Sequence, residues 1–341
     1  MPRAMLCERI VKLGTGIVLL SLSSGVFASD QLVAQNGKGG VQITQLTNRL
    51  RIDINGLLFT EYWFGDGAAR PYYYPVLGPD QLPMTRNWPM KSPPNETHDH
   101  KHHRSLWFGH ILVNGQDFWD EEKKFGRIEH EGFDEIKSGT ETGWIKSHDK
   151  WVAPDGKVVC TDERTFQVFN TGSPKMRIFD FEITLHASNG DLTFGDNKDG
   201  SMAIRVAETM RLDGKSSPDK LNHGHIVLST GVRDEETWGK RADWCDYYGP
   251  VEGKIVGVAM FDHPDNPRHP TWWHVRDYGL FAANPFGRHD FEKLEDKTAG
   301  NLTVPAGKRV TFRYRFYMHE GNEQEAKVAQ KYAEYATKGG K

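Results

Sequence analysis

Short runs of alternating apolar and polar residues, broken by Gly, Asn, Asp and Pro, recur along most of the chain. Residues 40–46 and 50–54 alternate with the two-residue period of a half-buried strand. Asn55-Gly56 between them and Leu57 is a two-residue hairpin signal, because both residues tolerate positive φ. The alternation returns at 164–169, 176–185 and 202–207. It returns again at 255–261, 279–283 and, after the Pro305-Ala306-Gly307-Lys308 turn, at 309–318. Such spacing predicts an all-β fold, an antiparallel sandwich. Only 322–336 reads as a helix. It is rich in Glu, Ala, Lys and Gln, which are good helix formers. Its apolar residues Ala326, Val328, Ala329, Tyr332 and Tyr335 fall on roughly one face, which predicts a short C-terminal helix docked on the sheet or its rim.

The first 28 residues stand outside this pattern. Arg3, Arg9 and Lys12 form a basic start, 13–27 a short apolar stretch, and Val26-Phe27-Ala28 a small-residue cleavage signal. The expectation is a signal peptide over 1–28, an exported (periplasmic or secreted) protein, and one domain over 29–341. The apolar stretch is short for a membrane span, and no other is long enough, so no stable membrane association is expected. Cleavage moves the formal net charge from −3 to about −5, which argues against nucleic acid as a partner. Cys160 and Cys245 remain; export permits a disulfide between them, but two cysteines in a chain of this size do not require one.

Chemistry concentrates in two segments. His98-Asp-His-Lys-His-His-Arg-Ser-Leu-Trp-Phe-Gly-His110 holds five of the chain's fifteen histidines. Imidazoles ligate metal, shuttle protons near neutral pH and hydrogen-bond hydroxyls. In an extended segment His98, His100 and His102 share a face, and a divalent metal there is one reading. No His-Glu-x-x-His spacing is present, so a polar substrate site without a cofactor is the other. The second segment is Phe261-Asp-His-Pro-Asp-Asn-Pro-Arg-His-Pro-Thr-Trp-Trp-His274. Its prolines fix an irregular backbone that presents His263, Asn266, Arg268 and His269, with Trp273 and Arg276 following. Irregular segments on a β scaffold suit ligand contact.

Further candidates lie between and around these segments. Arg86 stands in the Pro-, Asn- and His-rich loop 84–103, and long loops of this kind are often functional. Arg104 offers a planar fork to carboxylates and polarised oxygens. Trp107, His110, Asp117 and Trp119 combine rings with polar groups, while the acidic run 120–122 reads as solvated surface. Glu208 is an isolated carboxylate in an apolar stretch, read as a strand over 203–210, and a candidate acid or base. Lys240 and Arg241 interleave with aromatic residues, and Asn284 closes a turn. Each has a bland alternative: core packing for Trp119, an Arg–Glu pair for Glu208, an edge strand for 238–248. Nucleotide-binding and serine-hydrolase motifs are missing.

Arg70-Pro-Tyr-Tyr-Tyr-Pro-Val-Leu-Gly78, His100 to Gly109 with Asn114-Gly-Gln-Asp-Phe-Trp119, and Asp262 to Trp273 with Asn284-Pro-Phe-Gly resemble a bacterial family of unknown function. That family is often labelled PmoA, after methane monooxygenase. The label does not suit this chain, because the membrane oxygenase subunit spans the membrane several times. The resemblance covers nearly the whole mature chain. It implies a β-supersandwich similar to galactose mutarotases and an exported carbohydrate-active protein. Mutarotases use a His–Glu pair at the open end of the sandwich, but their Asn-His motif is missing here, so no residue maps across one by one.

The combined expectation is an enzyme that cleaves or epimerises a sugar or glycoside in a cleft shared by the two histidine segments. His102, His103, Glu208, His263 and His269 are its candidate catalytic residues. Arg86, Arg104, Trp107, His110, Asp117, Trp119, Lys240, Arg241, Asn266, Arg268, Trp273, Arg276 and Asn284 are its candidate binding residues. A non-catalytic carbohydrate-binding protein and a metal-dependent hydrolase or lyase are the alternatives.

Overall fold

Strict alternation becomes strand almost everywhere it occurs. The computed structural model describes residues 39–214 and 223–337, so the expected signal segment lies outside the described residues. In the first half the strands are β1 (Val41–Gln45), β2 (Arg49–Ile54), β3 (Leu57–Trp63), β4 (Tyr72–Val76), β5 (Leu106–His110), β6 (Arg127–Lys137), β7 (Thr142–Val152), β8 (Val158–Phe169) and β9 (Met176–His186). In the second half they are β10 (Leu192–Phe194), β11 (Gly200–Arg205), β12 (His225–Leu228), β13 (Trp244–Val251), β14 (Lys254–Asp262), β15 (Trp272–Val275), β16 (Leu280–Asn284), β17 (Leu302–Val304) and β18 (Arg309–Glu320). The α-helices are α1 (Arg288–Glu292) and α2 (Val328–Ala336).

Two eight-stranded antiparallel sheets carry the fold. The first runs β1-β2-β3-β4-β5-β11-β16-β15 and the second β12-β13-β14-β18-β9-β8-β7-β6. Residues from both sheets, among them Ile52, Phe108, Met202, Phe281, Phe179, Val258 and Phe316, share one buried cluster. That is the core of a sandwich, and it confirms the all-β expectation. Asn55 (φ 51°) and Gly56 (φ 79°) make the expected tight hairpin between β2 and β3. Gly37–Lys341 form one compact unit.

Two expectations need adjustment. The C-terminal helix starts at Val328, not near 322, because Lys327 adopts a left-handed backbone (φ 55°). The residues before it form a cap in which Asn322 Oδ1 accepts from the backbone N–H groups of Gln324 and Glu325. Val328 and Tyr335 then pack on Val227, Phe261 and Tyr317, on the outer face of the second sheet. The expected strand over 203–210 ends at Arg205, and Glu208–Met210 is a 3-10 turn. Cys160 and Cys245 are both buried and both free, so they do not form a disulfide.

The feature that positions the site is a row across the outer face of the first sheet. Tyr72, Trp107, Ala203, Ala282 and His274 are successive cross-strand partners on β4, β5, β11, β16 and β15. Their neighbours along each strand, such as Phe108, Met202 and Ala283, point into the core. Two alanines in the middle of such a row leave room above the sheet. Apolar residues from the loops fill it: Trp119, Tyr278 and Met90 join Trp107, Ala203 and Ala282 in a second apolar cluster.

Candidate functional site

The 84–104 loop crosses this outer face and is tied down by buried charge. Arg86, fully shielded from solvent, donates to the Asp99 carboxylate and to the carbonyls of Thr97, Asp99 and His100. Arg205, at the end of β11, donates to Asp99 Oδ1 at 3.0 Å from the sheet side. Burial works against the Asp99 anion, but His100, Arg205 and Arg86 outweigh it and hold its pKa below the usual carboxylate range. Glu208 fastens the same stretch of the loop, accepting from Arg211 at 2.6 Å and from the Thr97 hydroxyl. It is the Arg–Glu pair that the sequence left open, and its contacts hold the loop in place.

So anchored, the loop sets His102 and His103 over the aromatic floor. His103 stacks on Trp107 (centroids 5.2 Å apart) and lies edge-on to Trp119 at 6.0 Å. The two imidazoles meet edge to face, 4.4 Å apart at 83°. His100 covers His103 (4.8 Å) and stacks on Tyr278 (5.0 Å). Trp107 and Trp119 are only 1% and 2% exposed, so they are the floor under the histidines and not a surface on which a sugar stacks.

The partners of each ring set its tautomer. His103 Nδ1 faces Arg205 Nη1 at 3.2 Å. Burial, with Arg86 adding to it, lowers the Arg205 pKa to about 10, so the guanidinium is still charged at neutral pH and can only donate. His103 Nδ1 is therefore the acceptor, and its proton sits on Nε2. His102 Nδ1 lies 3.1 Å from Asp120 Oδ1, within ion-pair distance though off the line of a hydrogen bond. The carboxylate favours a proton on Nδ1 and leaves Nε2 bare. Burial, then the charges of Arg70 and His100, push the His102 pKa down to about 3. Burial, then the charges of His102 and Arg205, push His103 well below its ordinary value. Both rings are neutral at neutral pH: one offers a proton, the other a lone pair.

Glu121 corrects the reading of 120–122 as solvated surface. It is 8% exposed and bridges Arg70 (3.4 Å) and Arg104 (3.1 Å). Arg104 also lies over the Tyr72 ring at 5.7 Å. Beyond Tyr278, β15 contributes His274, whose Nδ1 donates to the Lys198 carbonyl at 2.6 Å. Burial lowers its pKa to about 4. Trp238 stands edge-on to it at 6.3 Å. Arg276 lies over the rings of Trp238 and Tyr278.

The two histidine segments do not share a cleft. His263 follows β14 on the second sheet, packs on Tyr335 and lines a surface cleft of about 250 Å³ with Asp180, Glu182 and Arg313. His269 pairs with Asp262 (2.8 Å) and Asp243 (3.4 Å). Asn266 holds the same turn through Asp262 and the Arg313 backbone. Arg268 donates to the carbonyls of Pro285, Gly300 and Asn301, and Arg241 to those of Arg268 and Pro270. These polar residues saturate one another, so the proline-rich segment is a braced connection from one sheet to the other.

Several single residues also fall away from the outer-face group. Trp273 points into the core and donates its indole N–H to Ala242 O. His110 is fully buried against Phe194 and Phe286, with Nε2 on Gly195 O. Asp117 accepts from the backbone N–H groups of Trp119 and Asp120 as a turn former, and burial raises its pKa. Asn284 donates to the carbonyls of Asn197 and Lys198 and so fixes the segment that receives His274. Lys240 is exposed. His98 stacks on Trp88 at 4.1 Å, away from His100 and His102. Among the described residues no group of three or more His, Cys, Asp or Glu side chains is placed to hold a metal ion.

Arg205, Tyr278, Asp120, Glu121 and Trp238 complete the site and were not among the expected residues. Only Arg205 gave a local signal, a charge at the outward position of an otherwise apolar strand.

The fold and site thus define a two-sheet antiparallel sandwich with a histidine pair on the outer face of one sheet. By sequence the chain belongs to the DUF6807 family, a family of unknown function whose profile matches residues 49–333. No curated protein matches it. Solved structures with a similar course include a glycoside hydrolase family 97 enzyme in complex with acarbose, from Pseudoalteromonas sp. strain K8. It is 9% identical with a TM-score of 0.32, over 82% of this chain and 34% of that one. The chain thus spans about a third of that enzyme's length. A galactose mutarotase-like protein from Lactobacillus casei is 9% identical with a TM-score of 0.28, over 82% of this chain and 100% of that one.

Proposed function

We propose that the outer face of the first sheet binds a sugar or glycoside and moves protons on it through His102 and His103. The observation that carries this reading is the placement of the two imidazoles, in edge-to-face contact with His103 Nδ1 on Arg205 and His102 Nδ1 beside Asp120, an arrangement that favours a bare Nε2 on His102 and a protonated Nε2 on His103. Neither Nε2 has a hydrogen-bond partner among the described residues. A base and an acid side by side are what glycoside cleavage and sugar epimerisation both require.

The remaining parts have roles that follow from their placement. Asp120 orients His102, and tightening of its contact when ligand excludes water raises the basicity of Nε2. Arg104, shared with Glu121, lies beside the pair to polarise a substrate oxygen. His100, the exposed ring of the stack, offers a flat surface to the C–H face of a sugar ring.

The test is turnover by the full chain on a panel of aryl glycosides and free reducing sugars, with product and epimer exchange followed by NMR. His102→Gln, His103→Gln and Asp120→Asn are each expected to lower kcat by about 100-fold while the folded-state circular dichroism is kept. Wild-type turnover in folded His102→Gln overturns the assignment. Sugar binding with no product across the whole panel replaces catalysis with a binding role.

A further inference from the structure

We propose that the ligand of this face carries a carboxylate and that Arg276 receives it. The inference rests on the reading of the face as a sugar site and names the class of sugar it takes.

Arg276 sits at the start of the turn from β15 to β16, where its backbone N–H donates to Leu280 O and its carbonyl accepts from Gly279. Its guanidinium carbon lies 5.4 Å from the Tyr278 ring and 6.0 Å from the Trp238 ring. Two aromatic faces hold the planar group without using its N–H donors. Its side chain has no hydrogen bond and no ion pair among the described residues. Every other guanidinium around the site is matched by a carboxylate. Arg70 and Arg104 share Glu121, Arg86 and Arg205 share Asp99, and Arg211 has Glu208 and Asp213. The neighbouring acids are committed too: Asp199 to Lys198 Nζ at 2.8 Å, and Asp277 to the Tyr278 backbone N–H. Among the described residues around the site, Arg276 is the guanidinium left without a carboxylate.

Two further atoms around Trp238 point to a ligand. The indole Nε1 of Trp238 and Nε2 of His274 are shut off from solvent, and neither has a hydrogen-bond partner. His274 Nδ1 is the donor to Lys198 O, so its Nε2 is an acceptor. A buried polar atom without a partner is unfavourable, and such atoms persist where something else completes them. One charged fork, one N–H donor and one acceptor around a single ring complement a carboxylate beside a hydroxyl. A uronic or other sugar acid presents that pair. The planar fork matches a planar carboxylate in two parallel hydrogen bonds.

The test is calorimetry on the full chain at low salt with sugars paired to differ only in charge. The pairs are glucose and glucuronate, galactose and galacturonate, mannose and mannuronate, and the disaccharides built from them, with the 6-sulfates as a third arm. At least one acid is expected to bind tenfold or more tighter than its neutral partner, about the strength of one charge-assisted contact, and to weaken with salt. Arg276→Gln is expected to bring that acid down to the level of its neutral partner, with an unchanged melting temperature as the fold control. Neutral sugars binding as tightly as their acids overturn this inference and leave the sugar site standing. Sulfates binding in place of carboxylates overturn the carboxylate assignment. No binding by any sugar overturns both readings.

Discussion

Nη1 of Arg205 donates to Nδ1 of His103 across 3.2 Å, and the same guanidinium holds Asp99 at 3.0 Å through Nη2. One buried side chain therefore fixes both the tautomer of the candidate acid and the path of the loop that carries it. Arg205→Ala removes one of two guanidinium partners of Asp99, which keeps Arg86, and leaves His103 Nδ1 without its donor, a loss of about 1–3 kcal/mol. Urea unfolding should show a loss of that order. In Arg205→Lys, which keeps the charge but not the fork, the ¹⁵N shifts of the His103 imidazole should move toward a mixture of tautomers. A variant as stable as wild type, with an unaltered His103 spectrum, removes Arg205 from both roles.

Acid should destabilise the fold through histidines, ahead of most carboxylates. His102, His103, His110 and His274 all have lowered pKa values, with burial as the first cause. The unfolded chain binds protons at these sites near pH 6.5, while the folded chain resists until about 3 to 4 at His102, His110 and His274. Between those limits the unfolded state holds more protons, so stability rises with pH and falls as the pH drops below about 6.5. Melting temperatures from pH 8 to 4.5 should decline through that window. His110→Phe, which removes one such group far from the site, should make the decline shallower. An equal decline in the variant would show that His110 is not held neutral.

How much of this was legible in the sequence depended on how local the information was. The strands were legible because alternation with a period of two is set residue by residue. The hairpin at Asn55-Gly56 was legible because two adjacent residues define the turn. Trp107 and Trp273 show where the reading stops. Trp272, Trp273 and His274 are all buried, so hydropathy does not tell which of them faces the core. Register with β16 decides, by placing His274 opposite Ala282 on the outer face. Glu121 looked solvated because its run is acidic, yet Arg70, distant in sequence, neutralises it. The two histidine segments looked like halves of one site because their compositions match, but in the second segment the polar side chains of Asp262, His263, Asn266, Arg268 and His269 are taken up by one another and by backbone groups, while His274, on β15, lies on the outer face of the first sheet.

The free cysteines give a simple chemical check. Cys160 lies in β8 and Cys245 in β13, both fully buried, and burial pushes both thiols well above their ordinary pKa. A buried thiol with a raised pKa has almost no reactive thiolate. Both should be inert to Ellman's reagent in the native protein and react in denaturant without prior reduction. Migration on non-reducing gels should match that on reducing gels. A faster-migrating non-reduced band would mean that the two are bridged, contrary to their placement.

His269 should titrate in the opposite sense to the buried histidines. Burial opposes its charge, but the hydrogen bond and attraction of Asp262 outweigh it and raise its pKa. Asp262 is itself pushed upward by its own burial. The two shifts pull in different directions on whether the pair is charged. The charged pair is favoured, because Asp262 also accepts from Asn266 Nδ2 at 2.7 Å and from the Thr271 N–H at 3.0 Å, bonds that stabilise a carboxylate. A raised histidine pKa adds stability that is fully present below the unfolded value of about 6.5 and is lost as the pH rises through the folded value. This window lies above that of the buried neutral histidines, so the two effects separate in one pH series. By NMR, His269 Cε1–H should show a midpoint above that of a free imidazole, and Asp262→Asn should bring it down. A midpoint at or below the free value in the wild type would show that burial wins, and that the turn linking β14 to β15 is held by neutral hydrogen bonds alone.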